Sequence, residues 1–188
     1  MTRTNHPLPT LAWTLASIAL LGAMAGPVAA QAPTPRMIEV DGDSMRVTTA
    51  GFEHLARGQP VVGLESGAGI SIGNWDPVVP VVAAYAPVVA YERAGVGASE
   101  WDGQPPTPGR VTDRLRALLA ELEAPPPYVL VGHSWGGYLI RYFAGRHSEE
   151  VAGLVYVDPT DFTGGRAEEL AALREIGVAD GMSALEAM

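Results

Sequence analysis

The stretch Tyr128-Val129-Leu130-Val131-Gly132-His133-Ser134-Trp135-Gly136-Gly137 narrows the folds open to this chain more than any other. An apolar run suited to a buried strand meets a glycine-x-serine-x-glycine, and a helix is expected from Trp135 to about Arg146. A turn that sharp forces its central residue into strained backbone angles. It also brings the residues two positions to either side so close that only very small ones fit. Gly132 and Gly136 occupy those positions. The Ser134 hydroxyl is then left at the base of the following helix, where the helix end favours developing negative charge. The backbone N–H of Trp135 can point there at an oxyanion. The competing reading is an ordinary strand–helix turn of a nucleotide-binding fold. That fold wants Gly-x-Gly-x-x-Gly after the strand, and the chain has none there.

The flanking sequence predicts strands alternating with helices. Met37–Val40 and Met45–Thr49 read as strands joined by Asp41-Gly42-Asp43, a turn sequence that suits a hairpin. Val61–Leu64 and Pro87–Tyr91 read as buried strands. Between them, Asp76 and Pro77 predict a helix start, with a side-chain cap and then proline at the first helical position, running to about Tyr85. Val111, Leu115, Leu118, Leu119 and Leu122 fall on one helical face, with Arg114, Arg116, Glu121 and Glu123 on the other. Pro125-Pro126-Pro127 ends that helix, and Leu154–Val157 forms a sixth strand. Tyr138, Tyr142 and Phe143 are expected to pack their helix onto the sheet. Solid apolar strands alternating with helices imply an α/β fold: a mostly parallel sheet covered by helices on both faces.

At 188 residues the chain is long enough for one domain with a sizeable core. Its formal net charge of -9 argues against nucleic acid as a partner, because a phosphate backbone needs a basic face. The absence of Cys excludes thiol chemistry, disulfides and Cys-based metal sites. No metal or cofactor is expected. At the N-terminus, Arg3 precedes the uncharged run Leu11–Ala25, followed by the helix breaker Gly26-Pro27 and the small residues Val28-Ala29-Ala30. That layout reads as a secretory signal over 1–30, cleaved after Ala30. A membrane span is the alternative, but 15 residues fall short of the roughly 20 that a bilayer core requires. The expected location is therefore secreted or periplasmic, with membrane contact only through this segment if it stays uncleaved. Residues 31–36 form a Pro-rich linker, 37–162 the core, and 163–188 the start of a helical lid with Leu170, Leu173 and Ile176 on one side.

Three stretches, in order, resemble the α/β-hydrolase family in its esterase, lipase and peptidase-like branch. Gly132-His133-Ser134-Trp135-Gly136-Gly137 resembles the nucleophile elbow. Tyr91-Glu92-Arg93-Ala94-Gly95-Val96-Gly97-Ala98-Ser99 resembles the family's Asp-Arg-x-Gly-x-Gly-x-Ser loop, with Glu92 in place of the usual Asp. Glu65-Ser66-Gly67-Ala68-Gly69 lies where the family often has His-Gly after the third strand, with Ser66 in place of the His. The resemblance implies that Ser134 is a nucleophile forming an acyl-enzyme with a small-molecule ester or similar acyl substrate. The oxyanion is then held by the amides of Trp135 and Ala68, with Gly67 the alternative to Ala68. Arg93 is expected to brace neighbouring turns rather than to meet substrate. Asp158, at the end of the sixth strand, is in a position that some members use for the triad acid, though most place the acid after the next strand. Its other reading is a cap for the following turn. Epoxide hydrolases and haloalkane dehalogenases, the branches with an Asp nucleophile, are disfavoured by a serine at 134.

A serine hydroxyl needs a base at neutral pH, and no histidine of the chain is expected to serve. His6 falls in the signal, and His54 on a loop at the sheet's far edge. His133 is turned away by strand alternation. His147 lies 13 residues along a helix from Ser134, about 20 Å at 1.5 Å per residue. In the family the catalytic His follows the last of eight strands, so the resemblance implies a C-terminally truncated chain, lacking those strands and inactive as it stands. Two other functions are left open, a non-catalytic ligand-binding relative and an amide or peptide hydrolase. The N-terminal reading carries its own test: protein recovered from the periplasm or medium should begin at Gln31 by mass spectrometry, and an intact Met1 there would refute cleavage.

Overall fold

Asp41 and Gly42 both take positive φ, 52° and 88°, a backbone matched to a two-residue hairpin turn. They join β1 (Arg36–Val40) to β2 (Asp43–Ala50), paired antiparallel. The turn is one residue shorter than expected, because Asp43 already pairs with Val40. A computed structural model describes residues 33–57 and 59–160. The expected signal 1–30 and lid 163–188 lie outside the described residues.

Beyond the hairpin come β3 (Val61–Glu65), α1 (Val79–Ala83), β4 (Val88–Tyr91), α2 (Pro108–Glu121), β5 (Tyr128–Ser134), α3 (Trp135–Arg146) and β6 (Val151–Pro159). Among the described residues the strands form one six-stranded sheet in the order β1-β2-β4-β3-β5-β6, with β4, β3, β5 and β6 mutually parallel. The fold is thus α/β with a mostly parallel sheet. Period-2 alternation divides the strands between two faces. Val61, Val89, Tyr91, Tyr128 and Leu130 meet Leu115, Leu118 and Leu119 of α2 and Ile140 and Phe143 of α3. Val62, Leu64, Val88, Ala90 and Val131 meet Ile72 and Trp75, from a 3-10 turn after β3, and Val79 of α1. At the edge of the sheet formed by the described residues, β6 leaves Val155, Tyr156 and Val157 exposed.

Three local expectations change. Asp76 does not cap a helix: the 3-10 turn Ile72–Trp75 ends on it, and α1 begins only at Val79, with no side-chain cap. Trp75 explains this. Its indole N–H donates to Ser66 Oγ at 2.9 Å, which pins the chain close to β3 and keeps it in i→i+3 bonding. Arg114 is buried rather than on the wet face of α2: it bonds Asp43 at 2.9 Å and lies 3.9 Å from Asp102. Tyr142 is exposed, with the Arg146 guanidinium 5.8 Å over its ring, whereas Phe143 packs in the core as expected. At the start of α2, the Thr107 hydroxyl accepts from the Arg110 amide at 3.4 Å.

Leu118 is fully buried between α2 and the sheet. Leu118→Ala should lower unfolding stability by about 2–5 kcal/mol, the range for such cavities, as measured by urea denaturation.

Candidate active site

The site lies at the ends of β3, β4 and β5, parallel strands that deliver their carboxyl ends to the same edge of the sheet. Ser134 closes β5 with φ 52° and ψ -122°, and α3 starts at the next residue. A serine in front of a helix ordinarily spends its hydroxyl on capping the first turn. Here the side chain makes no cap bond.

The tight turn needs small neighbours. A Cβ on Gly132 would stand 2.6 Å from Gly136 C and Gly137 N, and one on Gly136 would stand 2.8 Å from Ser66 O. The second contact is with another segment of chain, the loop after β3. That loop turns at Gly67–Ile70, closed by the Ile70 amide on Gly67 O at 3.2 Å, and it lies against the serine. A Cβ on Gly67 would be 3.2 Å from Ser134 Cβ and 3.2 Å from His133 Nδ1. Gly67 is buried and Ala68 exposed. Trp135 opens α3, and the first-turn amides of a helix have no partner within it.

The loop after β4 is organised by Glu92, which is fully buried. Its carboxylate accepts from Ala98 N at 2.7 Å, Ile72 N at 3.3 Å and Arg46 Nη1 at 3.3 Å. The Ser99 hydroxyl donates to Glu92 O at 2.8 Å and accepts from Arg46 N at 2.8 Å. Gly97, at φ 59°, stands directly against the Glu92 carboxylate, where a Cβ would collide. Arg93, also buried, donates to Glu65, Ser66 O and Gly67 O. Tyr91 Oη donates to the other Glu65 oxygen. Burial pushes the Glu65 carboxyl above the usual range, against the pull of the Arg93 guanidinium and the Tyr91 hydroxyl. Burial also pushes Tyr91 up, with the Glu65 charge adding to it.

The structure therefore brings Gly132, Ser134, Trp135, Gly136 and the Gly67–Ala68 loop together. Asp158 lies beside them in sequence register, next to Pro159, the Cα partner of Ser134. It is exposed at φ 43°, and its side chain makes neither a hydrogen bond nor an ion pair with the described residues. The residue that does reach the serine is one the sequence reading passed over. Thr160 Oγ1 is 3.3 Å from Ser134 Oγ, and its amide donates to Ser134 O at 3.0 Å. Nothing local marks Thr160; only its place after a strand parallel to β5 could have drawn notice.

Among the described residues no histidine bonds Ser134. His133 Nδ1 is buried without a partner, His54 stands 3.8 Å from Glu53, and His147 packs on Phe143 with ring centroids 5.0 Å apart. His147, Glu149 and Glu150 gather within 4.8 Å of one another at the far end of α3. Both oxygens of Glu150 are already bonded by Arg116.

The model of the Alpha/beta hydrolase family matches residues 61–187. An uncharacterised protein of Schizosaccharomyces pombe is 40% identical over 86 residues, covering 46% of this chain and 16% of its own length. A haloalkane dehalogenase of Mycolicibacterium smegmatis is 35% identical over 107 residues, covering 55% of this chain and 34% of its own length. The crystal structure of Epoxide Hydrolase A from Mycobacterium thermoresistibile superposes with a TM-score of 0.62 at 26% identity, over 77% of this chain and 45% of that one. The chain thus spans less than half the length of each.

The glycine geometry has a measurable cost. Gly132→Ala forces a methyl into backbone and should destabilise by about 1–3 kcal/mol or more. Gly145→Ala, in α3 with nothing within 4 Å of its Cβ, should be neutral or stabilise by up to about 1 kcal/mol. Denaturation midpoints of the two variants against the wild type check both.

Proposed function

This chain belongs to the alpha/beta hydrolase family, and we propose that it carries the nucleophile of a serine hydrolase acting on a carboxylic ester or similar acyl bond. The observation that carries the proposal is the Ser134 hydroxyl, uncapped at the helix start, with the Gly67–Ala68 loop packed against its Cβ. In this reading Ser134 Oγ attacks the acyl carbon as a base takes its proton. The carbonyl oxygen becomes an oxyanion facing the amides of Trp135 and Ala68, with Gly67 the alternative to Ala68. Collapse of the tetrahedral species expels the alcohol, which takes up the proton, and leaves an ester on Ser134. Water then attacks that ester, giving the carboxylic acid and restoring the serine.

The base is none of His54, His133 and His147, and the proposal assigns it to a residue outside those described. Asp158 stays a candidate acid by virtue of its place beside the register partner of Ser134. The relatives named dehalogenase and epoxide hydrolase support hydrolysis as the chemistry, while a hydroxyl at position 134 favours an acyl bond over the bonds those names imply. The signal-like sequence of residues 1–30 supports a location in the periplasm or outside the cell. Its acidic charge favours a small-molecule substrate over nucleic acid.

A second reading, a ligand-binding relative without catalysis, draws on the Ser134–Thr160 contact, in which the nucleophile's partner is a hydroxyl and not a base. One experiment separates the two: p-nitrophenyl acetate hydrolysis by the 188-residue chain and by a form extended through the downstream reading frame. The extended form should turn over, with Ser134→Ala losing at least about 1,000-fold, and the 188-residue chain should stay at background. Equal rates for the extended form and its Ser134→Ala variant would refute the nucleophile. Hydrolysis of p-nitroanilides alone would move the substrate to amides.

A further inference from the structure

The proposed oxyanion loop is gripped from two sides. On one, Gly136 of α3 lies so close to the backbone of Glu65 and Ser66 that no side chain fits between them. On the other, one guanidinium holds three consecutive residues. Arg93 Nη1 donates to the Glu65 carboxylate and to Ser66 O at 2.7 Å, and Nη2 donates to Gly67 O. The Glu65 carboxylate is fixed in turn by Tyr91 Oη. The face of the guanidinium lies over the Trp135 ring, with Cζ 4.8 Å from its centroid. Arg93 thus touches both segments whose amides are proposed to meet the oxyanion, and it sits buried where water cannot compete for those carbonyls.

A trans peptide is planar, so its C=O and the next residue's N–H point in opposite directions. Fixing Ser66 O on Arg93 therefore turns the Gly67 N–H away from Arg93, and fixing Gly67 O does the same for the Ala68 N–H. Both candidate donors owe their direction to one side chain. A lysine could not reproduce this, since a single ammonium lacks the planar fork that spans two carbonyls and a carboxylate. We propose that Arg93 is the positioning residue of the oxyanion site: it sets the peptide planes of the loop after β3 and, through the Trp135 ring, ties them to the start of α3. The inference rests on the serine-hydrolase reading for its purpose, but its geometry can be tested without turnover.

The test uses the full chain labelled with 15N and 13C. In the wild type, scalar couplings across the hydrogen bonds should connect Arg93 Nη to the carbonyl carbons of Ser66 and Gly67. Their absence overturns the proposal whatever any variant does. Arg93→Lys should displace the amide signals of Gly67, Ala68 and Trp135 several-fold further than those of Leu118 and Leu130, in the core. Unchanged amide signals at Gly67 and Ala68 overturn it as well. Phenylboronic acid then supplies a signature that loosened packing alone would not give. As it adds to Ser134, with the Oγ–B bond forming and the hydroxyl proton passing to buffer, the Ala68 and Trp135 amide signals should shift together in the wild type. In Arg93→Lys only Trp135 should still follow. Identical boronate binding by wild type and Ser134→Ala would refute the serine as nucleophile, and leave the variant's signal shifts and the couplings to decide the role of Arg93.

Discussion

Ser134 holds a backbone conformation that costs of order 1–3 kcal/mol for a residue with a side chain, and it persists only because its surroundings leave no alternative. Gly132 and Gly136 allow β5 and α3 to meet at backbone contact. The same closeness lets α3 press on the loop after β3, and that loop is what Arg93 holds from the other side. One strained residue thus fixes the angle between the central strand and its helix, the height of the loop, and the place where a charge on substrate would be met. Relaxing it would separate all three.

The two loops that flank the serine are built on buried carboxylates used differently. Glu92 spends its oxygens on amides of its own loop and of the 3-10 turn after β3, and on Arg46 of β2, so it fastens three segments together. Glu65 spends its oxygens on Arg93 and Tyr91. An isolated buried charge would be very costly, and each is tolerated because its lone pairs are taken. The longer Glu at 92, where the family resemblance has Asp, fits because Gly97 leaves room for it.

Much of this was legible because the deciding chemistry is local. Asp41-Gly42 announces its own turn, Gly132 to Gly136 announces the elbow, and the span of α3 was read correctly from Trp135 to Arg146. What escaped depends on residues far apart in the chain. Helical periodicity puts Arg114 in solvent because it cannot see Asp43, 71 residues earlier, nor Asp102 closing over it. Asp76-Pro77 has the pattern of a helix start, but Trp75 is anchored on Ser66 and the turn stays tight. Thr107-Pro108 shows the same cap-and-proline pattern and does begin a helix, so the pattern alone does not discriminate. Thr160 has no sequence signal at all; it reaches Ser134 only because β6 runs parallel to β5.

The strand order also has a consequence for how the chain is made. A domain emerges from the ribosome N-terminus first, and here β3 emerges before either of its neighbours, β4 and β5, exists. The hairpin already outside is not its neighbour in the finished sheet, where β2 pairs with β4. Until Val88–Tyr91 arrives, the nascent Val61–Glu65 segment is an apolar strand with both edges open, carrying the loop on which the site is later assembled. The segment most in need of cover while the chain is made thus lies at the centre of the described sheet and not at its rim.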